Sequence, residues 1–560
     1  MRTALHSWRA PVWFFACTLL FFGGADFAHA AEQFFIEAND DATGRIEMKG
    51  EGLFLSYHAR VVVDASYWKA LGEDEKAEAR VAIAALVSEF DGRIYPLTRD
   101  FLGEEWNPGI DRDPRIILLI APMREGVFST SRPFVDETRK DGSNEAEVIY
   151  INANTLTNPR TKAALASSFA ELIAYNQRVV RAGMKEEAWV LAMAATYVPT
   201  YLGYDAPFAS SQLAHEARAY TSAPNNSFID WNGQEADRAS ISLFSHFIAG
   251  RYGTPFFSYL MRASKSGSQA VSLALSASGS TDTFADALSA WAVASYVNGK
   301  TAEGEPYEYI HSGLGFSKLR VVPEYRAPIG DGASSLSRFL LGPGSAQWVR
   351  YTPLALGSNG LNSLFLKLEG FNGDDATVSY IETTIDGASR LKKIRLKDGI
   401  GEAQVDLFGT YVLSVVLVPT NTGSEPATLQ VEAYQRESDR TNPEGVFPDG
   451  ALVRAKESDQ VYIIQGETRR WIQSPEIFNG YDYLRWDAVR EVPFSTLAWY
   501  RESFLVRVAA EAKVYEVTAG GTKRWLNMSA AAFVRSGRRW EDVFVINEKE
   551  LLWYADAQGR

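Results

Sequence analysis

The stretch AALASSFAELIAYNQR, residues 163–178, decides how the first half of this chain is read. Leu165, Phe169, Leu172 and Ile173 recur at the three- and four-residue spacing of a helix with one apolar face. Small residues at 163, 164, 166–168 and 170, joined by those at 192, 194 and 195, imply close packing or a cleft lined by nothing reactive. Ser167, Ser168 and Glu171 are the polar positions before the Asn176-Gln177-Arg178 end of the stretch. The segments before it read as strands and those after it as helices, the order of an α+β unit.

Upstream, QFFIEA, RIEMKG and GLFLSYHARVVVD read as short strands within residues 31–66. A helix is expected from about 73 to 102, with Val81, Ala84, Leu86, Phe90 and Ile94 on one broad face. RIILLIAP (115–122) and EVIYINAN (147–154) read as buried strands, and REGVFSTSRPFVDETRKDGSNE between them as a polar loop broken by Gly and Pro. Downstream, helices are expected at 161–182, 186–201, 209–220, 235–252, 254–265 and 282–297. The unit spans 31–318.

Residues 319–334 carry few helix or strand signals and read as a linker. WVRYTPLAL, SLFLKLEGF, ATVSYIETT, LKKIRLKDG, AQVDLF, TYVLSVVLVPT and TLQVEAYQR then alternate between polar turns, which predicts an antiparallel β-sandwich over 335–437. RESDRTNPEGVFPDG reads as a second linker. Beyond it the chain repeats itself. Leu452-Val453-Arg454 recurs at 505, Val461-Tyr462 at 514, Arg469-Arg470-Trp471 as Lys523-Arg524-Trp525, and Trp486 as Trp540. Val489, Leu497 and Trp499-Tyr500 recur as Val543, Leu551 and Trp553-Tyr554. The offset is 53 at first and 54 from the RRW/KRW element onward, so two tandem modules are expected, 448–503 and 504–557.

A length of 560 residues predicts roughly three or four domains. Apolar content of 46% and charged content of 22% are those of a globular chain. Residues 1–30 read as an export signal: Arg2 and Arg9, the apolar run VWFFACTLLFF, and the small-x-small site AHA at 28–30. The apolar run is short for a membrane span, and cleavage would leave a chain starting near Ala31 with no transmembrane span. The only cysteine, Cys17, would leave with the signal, which excludes disulfides, a thiolate nucleophile and a cysteine zinc site from the mature chain. The signal carries a net +1, so its removal takes the formal charge from −13 to −14. That acidity argues against nucleic acid as a partner and against direct adsorption to anionic lipid.

RIILLIAP, the Gly126-Val127-Phe128 turn, SNEAEVIYINA, LASSFAELIAYNQ and EEAWVLAMAATYVPTYLGY together resemble the secreted zinc metallopeptidases of the hyicolysin type, within the wider thermolysin-like (gluzincin) group. The resemblance covers residues 54–300. It implies a helix bearing His-Glu-x-x-His, in which two histidines one turn apart hold zinc and the glutamate is general base on the metal-bound water, with a third ligand supplied by a Trp-x-x-Glu-Gly-like segment a few turns later. Carried over residue by residue, the first histidine falls on Ser167, the base on Ser168, the second histidine on Glu171 and the third ligand on Ala192. Two serines, one carboxylate and an alanine do not bind zinc tightly, and Ser168 at the base position cannot accept a proton near neutral pH, so zinc is expected to be absent and the motif degenerate. The implied fold is multidomain α+β: a metallopeptidase-like domain, a β-sandwich and two small modules. The same sequence admits a plain helical core without that ancestry.

The remaining chemistry is sparse. Mature histidines stand only at 58, 215, 246 and 311; His215-Glu216 is followed at 219 by alanine, and His246 lies in an apolar helix pattern that reads as core. No Gly-x-Ser-x-Gly elbow and no phosphate loop occurs. Six of the twelve mature tryptophans, Trp471, Trp486, Trp499, Trp525, Trp540 and Trp553, sit in the repeats. They read either as core of small modules or as stacking surfaces for an envelope polymer, with Arg469-Arg470 and Lys523-Arg524 meeting acidic groups. The modules resemble the tandem repeats at the ends of exported bacterial surface proteins, which implies attachment. The expectation is an exported, extracellular, surface-associated or periplasmic protein, non-catalytic, holding a protein, peptide or envelope polymer. An active hydrolase with relocated site residues and a structural surface-layer component are the alternatives.

Overall fold

The computed structural model describes residues 32–557 apart from 302–305, 310–315, 317–318, 331–333, 355–361, 372–376, 385–386, 407, 410–411, 438–446, 448, 457 and 510. The expected export signal, His311 and most of the second expected linker lie outside the described residues. The chain is a multidomain α+β protein that divides into two compact units, 1–186 with 197–205, and 187–196 with 206–560.

The first unit is built on a six-stranded sheet of β1 (Glu32–Phe35), β2 (Glu47–Leu55), β3 (Ala59–Asp64), β4 (Ile116–Ala121), β5 (Ser129–Ser131) and β6 (Val148–Asn152), in the order β1-β2-β3-β4-β6-β5. β3, β4 and β6 run parallel, and every residue of β4 and β6 is buried, the pattern of strands covered on both faces. The run 52–64 is therefore two strands rather than one. It breaks at Ser56-Tyr57-His58, where the Asp91 carboxylate accepts from the backbone N–H of Tyr57 and His58. α1 (Ala65–Ala70) follows, capped by Asp64, an element with no apolar periodicity to announce it.

α2 (Glu73–Glu89) and α3 (Tyr95–Leu102) are joined through a wider helical turn at Phe90–Ile94. Val81 does not belong to the inner face; it is exposed, and Ile83, Leu86 and Val87 are buried instead. The supposed polar loop after β4 contains both β5 and the short α4 (Pro133–Asp136). Ser-Thr-Ser has no alternation to mark a strand, and only pairing with β6 makes it one. α5 (Pro159–Tyr175) begins with Asn158 accepting from the Arg160 N–H and with proline at its first position. α6 (Ala188–Tyr201) is divided between the two units after Thr196.

In the second unit α7 (Gln212–Ser222), α8 (Glu235–Tyr252), α9 (Pro255–Arg262), α10 (Gly267–Ala277) and α11 (Phe284–Val297) surround Trp189, Phe228, Phe244, Phe284 and Trp291. α10 is an addition to the expected helices; its run of Ser, Ala and Gly hides the periodicity that Ala270, Val271, Ala274 and Leu275 supply on its buried face. A short hairpin, β7 (Gly299–Lys300) with β8 (Pro306–Tyr307), comes next.

Two sheets then share one apolar core. One contains β10 (Ser334–Leu341), β12 (Asn362–Gly370), β15 (Ile400–Val405) and β17 (Ala427–Glu437) in the order β10-β17-β12-β15. The other contains β9 (Tyr325–Ile329), β11 (Val349–Pro353), β13 (Thr377–Thr384), β14 (Ser389–Arg395) and β16 (Val412–Val418) in the order β14-β13-β16-β11-β9. Leu364, Leu366 and Leu368 of one sheet and Val349, Tyr351, Val415 and Leu417 of the other lie in the same buried cluster. The expected linker 319–334 is corrected here, because β9 lies inside it and pairs with β11 in parallel. Pro328 obscures that strand in the sequence and is tolerated because β9 is at the sheet edge.

The C-terminal modules have one topology. β18 (Leu452–Ala455), β19 (Val461–Gln465), β20 (Thr468–Ile472), β21 (Arg490–Val492) and β22 (Arg501–Glu502) form a sheet ordered β21-β18-β19-β20-β22. β23 (Leu505–Val508), β24 (Tyr515–Val517), β25 (Thr522–Trp525), β26 (Val543–Ile546) and β27 (Ala555–Asp556) repeat it as β26-β23-β24-β25-β27. α12 (Pro475–Asn479) and α13 (Phe494–Leu497) correspond to α14 (Ala530–Arg535) and α15 (Glu548–Trp553). Strand alternation divides the first sheet between two cores. Val453, Ala455, Tyr462 and Ile464 pack with Leu497 and Tyr500 of their own module, while Leu452, Val461 and Ile472 pack with Val506, Phe544 and Ile546 of the next. The two modules are thus one body with a shared core.

Candidate functional site

α5 and the edge strand β5 meet along a polar strip inside the first unit. Ser129 Oγ lies 3.1 Å from Ser168 Oγ, and Ser131 Oγ donates to Glu171 Oε2 at 2.8 Å. The two contacts stem from periodicity, since Ser129 and Ser131 are two apart on a strand and share a face. Nearer the start of the helix, the Arg160 guanidinium lies over the Phe128 ring, 4.4 Å from its centroid. Ser167 and Glu171 are half-buried, four residues apart on the same helix face, and Ser168 is buried.

The structure therefore brings Ser167, Ser168 and Glu171 together on one helix, with Ser129 and Ser131 as neighbours that sequence reasoning missed. Ala192 belongs to the other unit, where it is buried and its carbonyl accepts from Thr196 Oγ1 at 2.9 Å. The α5 donor set does not fit a zinc ion: it offers no imidazole, its buried hydroxyl pairs with another hydroxyl, and its single carboxylate accepts from Ser131. Among the described residues there is no group of three His, Cys, Asp or Glu placed to hold a metal ion.

The histidines take separate roles. His58 stacks on Tyr95 with centroids 3.6 Å apart, and burial holds its imidazole below the usual range. His215 is half-buried and lies 3.3 Å from a Glu235 oxygen. His246 is wholly buried in α8 with Nδ1 2.7 Å from the Ser242 carbonyl oxygen, as a core residue would be.

The first unit also holds a group of buried acids that the sequence does not single out. Arg132 Nη2 donates to Asp136 Oδ1 at 2.7 Å, and the Tyr150 hydroxyl donates to Asp136 Oδ2 at 2.7 Å. Burial pushes the Glu147 carboxyl up to about 7, with the nearby charges of Asp111 and Glu105 adding to the effect. Burial pushes Glu137 well above the carboxylate range, and Glu147 and Asp136 push the same way. Neither Glu137 oxygen has a hydrogen-bond partner.

Five of the six module tryptophans lie at the surface, and Trp471 packs against the core of its own module. Trp486, Trp499, Trp525, Trp540 and Trp553 are exposed and Trp471 is half-buried, while aliphatic residues, Phe and Tyr fill the interior. The basic side chains are instead engaged within the modules. Arg470 is buried against Glu550, to which the Tyr481 hydroxyl also donates. Arg469 donates to the Leu497 carbonyl, Lys523 to the Tyr554 carbonyl, and Arg524 pairs with Glu516. Glu550 corresponds to Thr496 in the first module, so this junction has no internal copy that the repeat could have revealed.

No protein-family model matches the chain, and no curated protein matches it. Solved structures give slight likenesses. A mitogen derived from Yersinia pseudotuberculosis is 12% identical, covering 21% of this chain and 96% of its own, with a TM-score of 0.15. The pre-peptidase C-terminal domain of a Bacillus anthracis collagenase is 10% identical, covering 20% and 98%, with a TM-score of 0.15. A family 11 carbohydrate-binding module from Clostridium thermocellum, solved with a mixed-linked β-1,3-1,4 tetrasaccharide, is 8% identical, covering 18% and 84%, with a TM-score of 0.13. At these scores no functional argument rests on them. Among the described residues no helix is long and apolar enough to cross a membrane.

Proposed function

We propose that this chain is an exported, non-catalytic relative of the hyicolysin-type metallopeptidases that holds an extended peptide or protein segment without cutting it, while its C-terminal modules keep it at the cell envelope. The finer architecture belongs to the same reading: a metallopeptidase-like domain over 31–318, a sandwich over 335–437 and tethering modules over 448–503 and 504–557. One observation carries it. The positions that the resemblance assigns to the general base and second zinc ligand, Ser168 and Glu171, are engaged by Ser129 and Ser131 of β5. A helix used in that way has hydroxyls and a carboxylate for orienting a ligand, and at the general-base position it has Ser168, which does not accept a proton near neutral pH.

β5 supplies the mode of holding. It ends the sheet order and its described ladder is to β6 alone, so an extended segment can add to its outer edge through main-chain hydrogen bonds. The test is retention of reduced, denatured casein by the full mature chain, read together with mass spectrometry of the casein. Retention of intact casein is expected, and Ser129→Pro, which removes an outward N–H of β5, should weaken it more than Ser129→Ala, which removes only the hydroxyl. Cleaved casein, or retention equal in Ser129→Pro and Ser129→Ala, contradicts the reading. For the tether, the full chain should sediment with isolated cell envelopes and a chain lacking 448–560 should not.

A further inference from the structure

In each C-terminal module one indole is laid flat on a phenylalanine. Trp486 stacks on Phe478 with centroids 3.9 Å apart and planes 19° from parallel; Trp540 stacks on Phe533 at 4.3 Å and 26°. The phenylalanines are buried, yet Trp486 is 52% and Trp540 46% exposed. One face of each indole therefore packs on its module and the other faces solvent. Trp486 Nε1 donates to Asn479 Oδ1 at 3.0 Å, which fixes the rotation of that ring.

The surroundings of the two rings repeat as well. Each tryptophan is preceded by arginine and followed by a carboxylate, in Arg485-Trp486-Asp487 and Arg539-Trp540-Glu541. The Arg485 guanidinium grips Asp487 through Nε at 2.9 Å and Nη2 at 2.5 Å, and Arg539 Nε lies 3.6 Å from Glu541. Both pairs are exposed. Each module thus offers a flat π face with hydrogen-bond donors and acceptors at its rim. A pyranose ring is the complementary shape, with an apolar C–H face and a rim of hydroxyls that both donate and accept. Two isolated indoles bracketed by charges do not form the continuous apolar core of a protein interface.

We propose that Trp486 and Trp540 are paired platforms for a polysaccharide of pyranose rings, with Arg485/Asp487 and Arg539/Glu541 reading ring hydroxyls. The proposal deepens the envelope-tether reading and rests on it for the source of the polymer. Because the modules share a core, a chain long enough to meet both platforms gains avidity, on the order of 10²-fold over one platform.

The test is sedimentation of the full mature chain with insoluble chitin, β-1,3-glucan and purified peptidoglycan. Retention by at least one is expected, about 10²-fold weaker for Trp486→Ala or Trp540→Ala and abolished in the double variant. Arg485→Ala and Arg539→Ala lie on the surface and should weaken retention about tenfold with unchanged circular dichroism and melting temperature, which guards against misfolding of the tryptophan variants. No retention by any of the three polymers, or equal retention of all variants, overturns the proposal. The same variants on isolated envelopes separate the two readings. Envelope capture that survives in the double variant overturns the platforms and leaves the tether; platform-dependent retention on glycan without envelope capture does the reverse.

Discussion

Removing the charge of Glu550 should loosen the joint between the C-terminal modules. The side chains of Glu550 and Arg470 are 0% and 4% exposed and are paired across the junction. Tyr481 and Tyr554 also donate to Glu550, the latter at 3.0 Å. In Glu550→Gln one tyrosine can still donate to the amide oxygen and the other can accept from the amide N–H, but a guanidinium stays buried without its counter-charge. Arg470 Nε already lacks a hydrogen-bond partner, and the Phe544 ring 5.5 Å from the guanidinium offers no counter-charge. Breaking one side of such a pair costs about 3–5 kcal/mol. At about 1.4 kcal/mol per decade, amides whose exchange requires the joint to open should exchange roughly 10²- to 4 × 10³-fold faster. Hydrogen exchange with mass spectrometry on the full mature chain reads this in peptides covering 505–546, while peptides covering β12 and β16 of the sandwich act as an internal control. Replacing the pair together, as Arg470→Met with Glu550→Leu, should recover most of the loss, since an apolar pair of similar volume needs no desolvation of charge. Exchange in Glu550→Gln within threefold of wild type would refute the junction as described.

Three further outcomes are expected on the same physical grounds. The folded-state pKa of Glu147 is raised from 4.5 to about 7, so the folded chain keeps a proton that the unfolded chain loses in that window. Stability from this group is therefore full below 4.5 and falls by about 3 kcal/mol as pH rises through 7; Glu147→Gln should flatten that decline in urea-melt midpoints and be the more stable form at pH 8. Ser167→His with Glu171→His should place two imidazoles one turn apart on a half-buried helix face, creating a zinc site absent from the parent. Zinc at 100 times its dissociation constant should then stabilise the variant by ~2.7 kcal/mol, and no shift in melting would show that the two positions do not share a face. Gly370→Ala should destabilise the sandwich by more than about 2 kcal/mol in thermal melts, because φ is +128° and the new Cβ would stand 2.1 Å from the Thr428 carbonyl oxygen.

What was legible in the sequence had a period. The apolar face of α5, the buried runs of β4 and β6, the alternating strands of the sandwich and the 53–54 residue repeat each leave a regular trace. What escaped is held by partners distant in sequence. β5 is a strand only because β6 pairs with it, and β9 carries a proline that an edge position tolerates. The polar strip escaped for the same reason: Ser129 and Ser131 meet α5 across about forty residues of chain, and no local pattern records that. The two roles open to the module tryptophans could not be separated in the sequence, because hydrophobicity does not tell an indole stacked on the core from one within it.

The most direct test of the central claim is metal content measured together with proteolysis on the purified mature chain. The account predicts far less than one equivalent of zinc after dialysis and no casein cleavage, with or without added zinc. One full equivalent of zinc that a chelator removes, taking proteolytic activity with it and returning it when zinc is restored, would contradict the account.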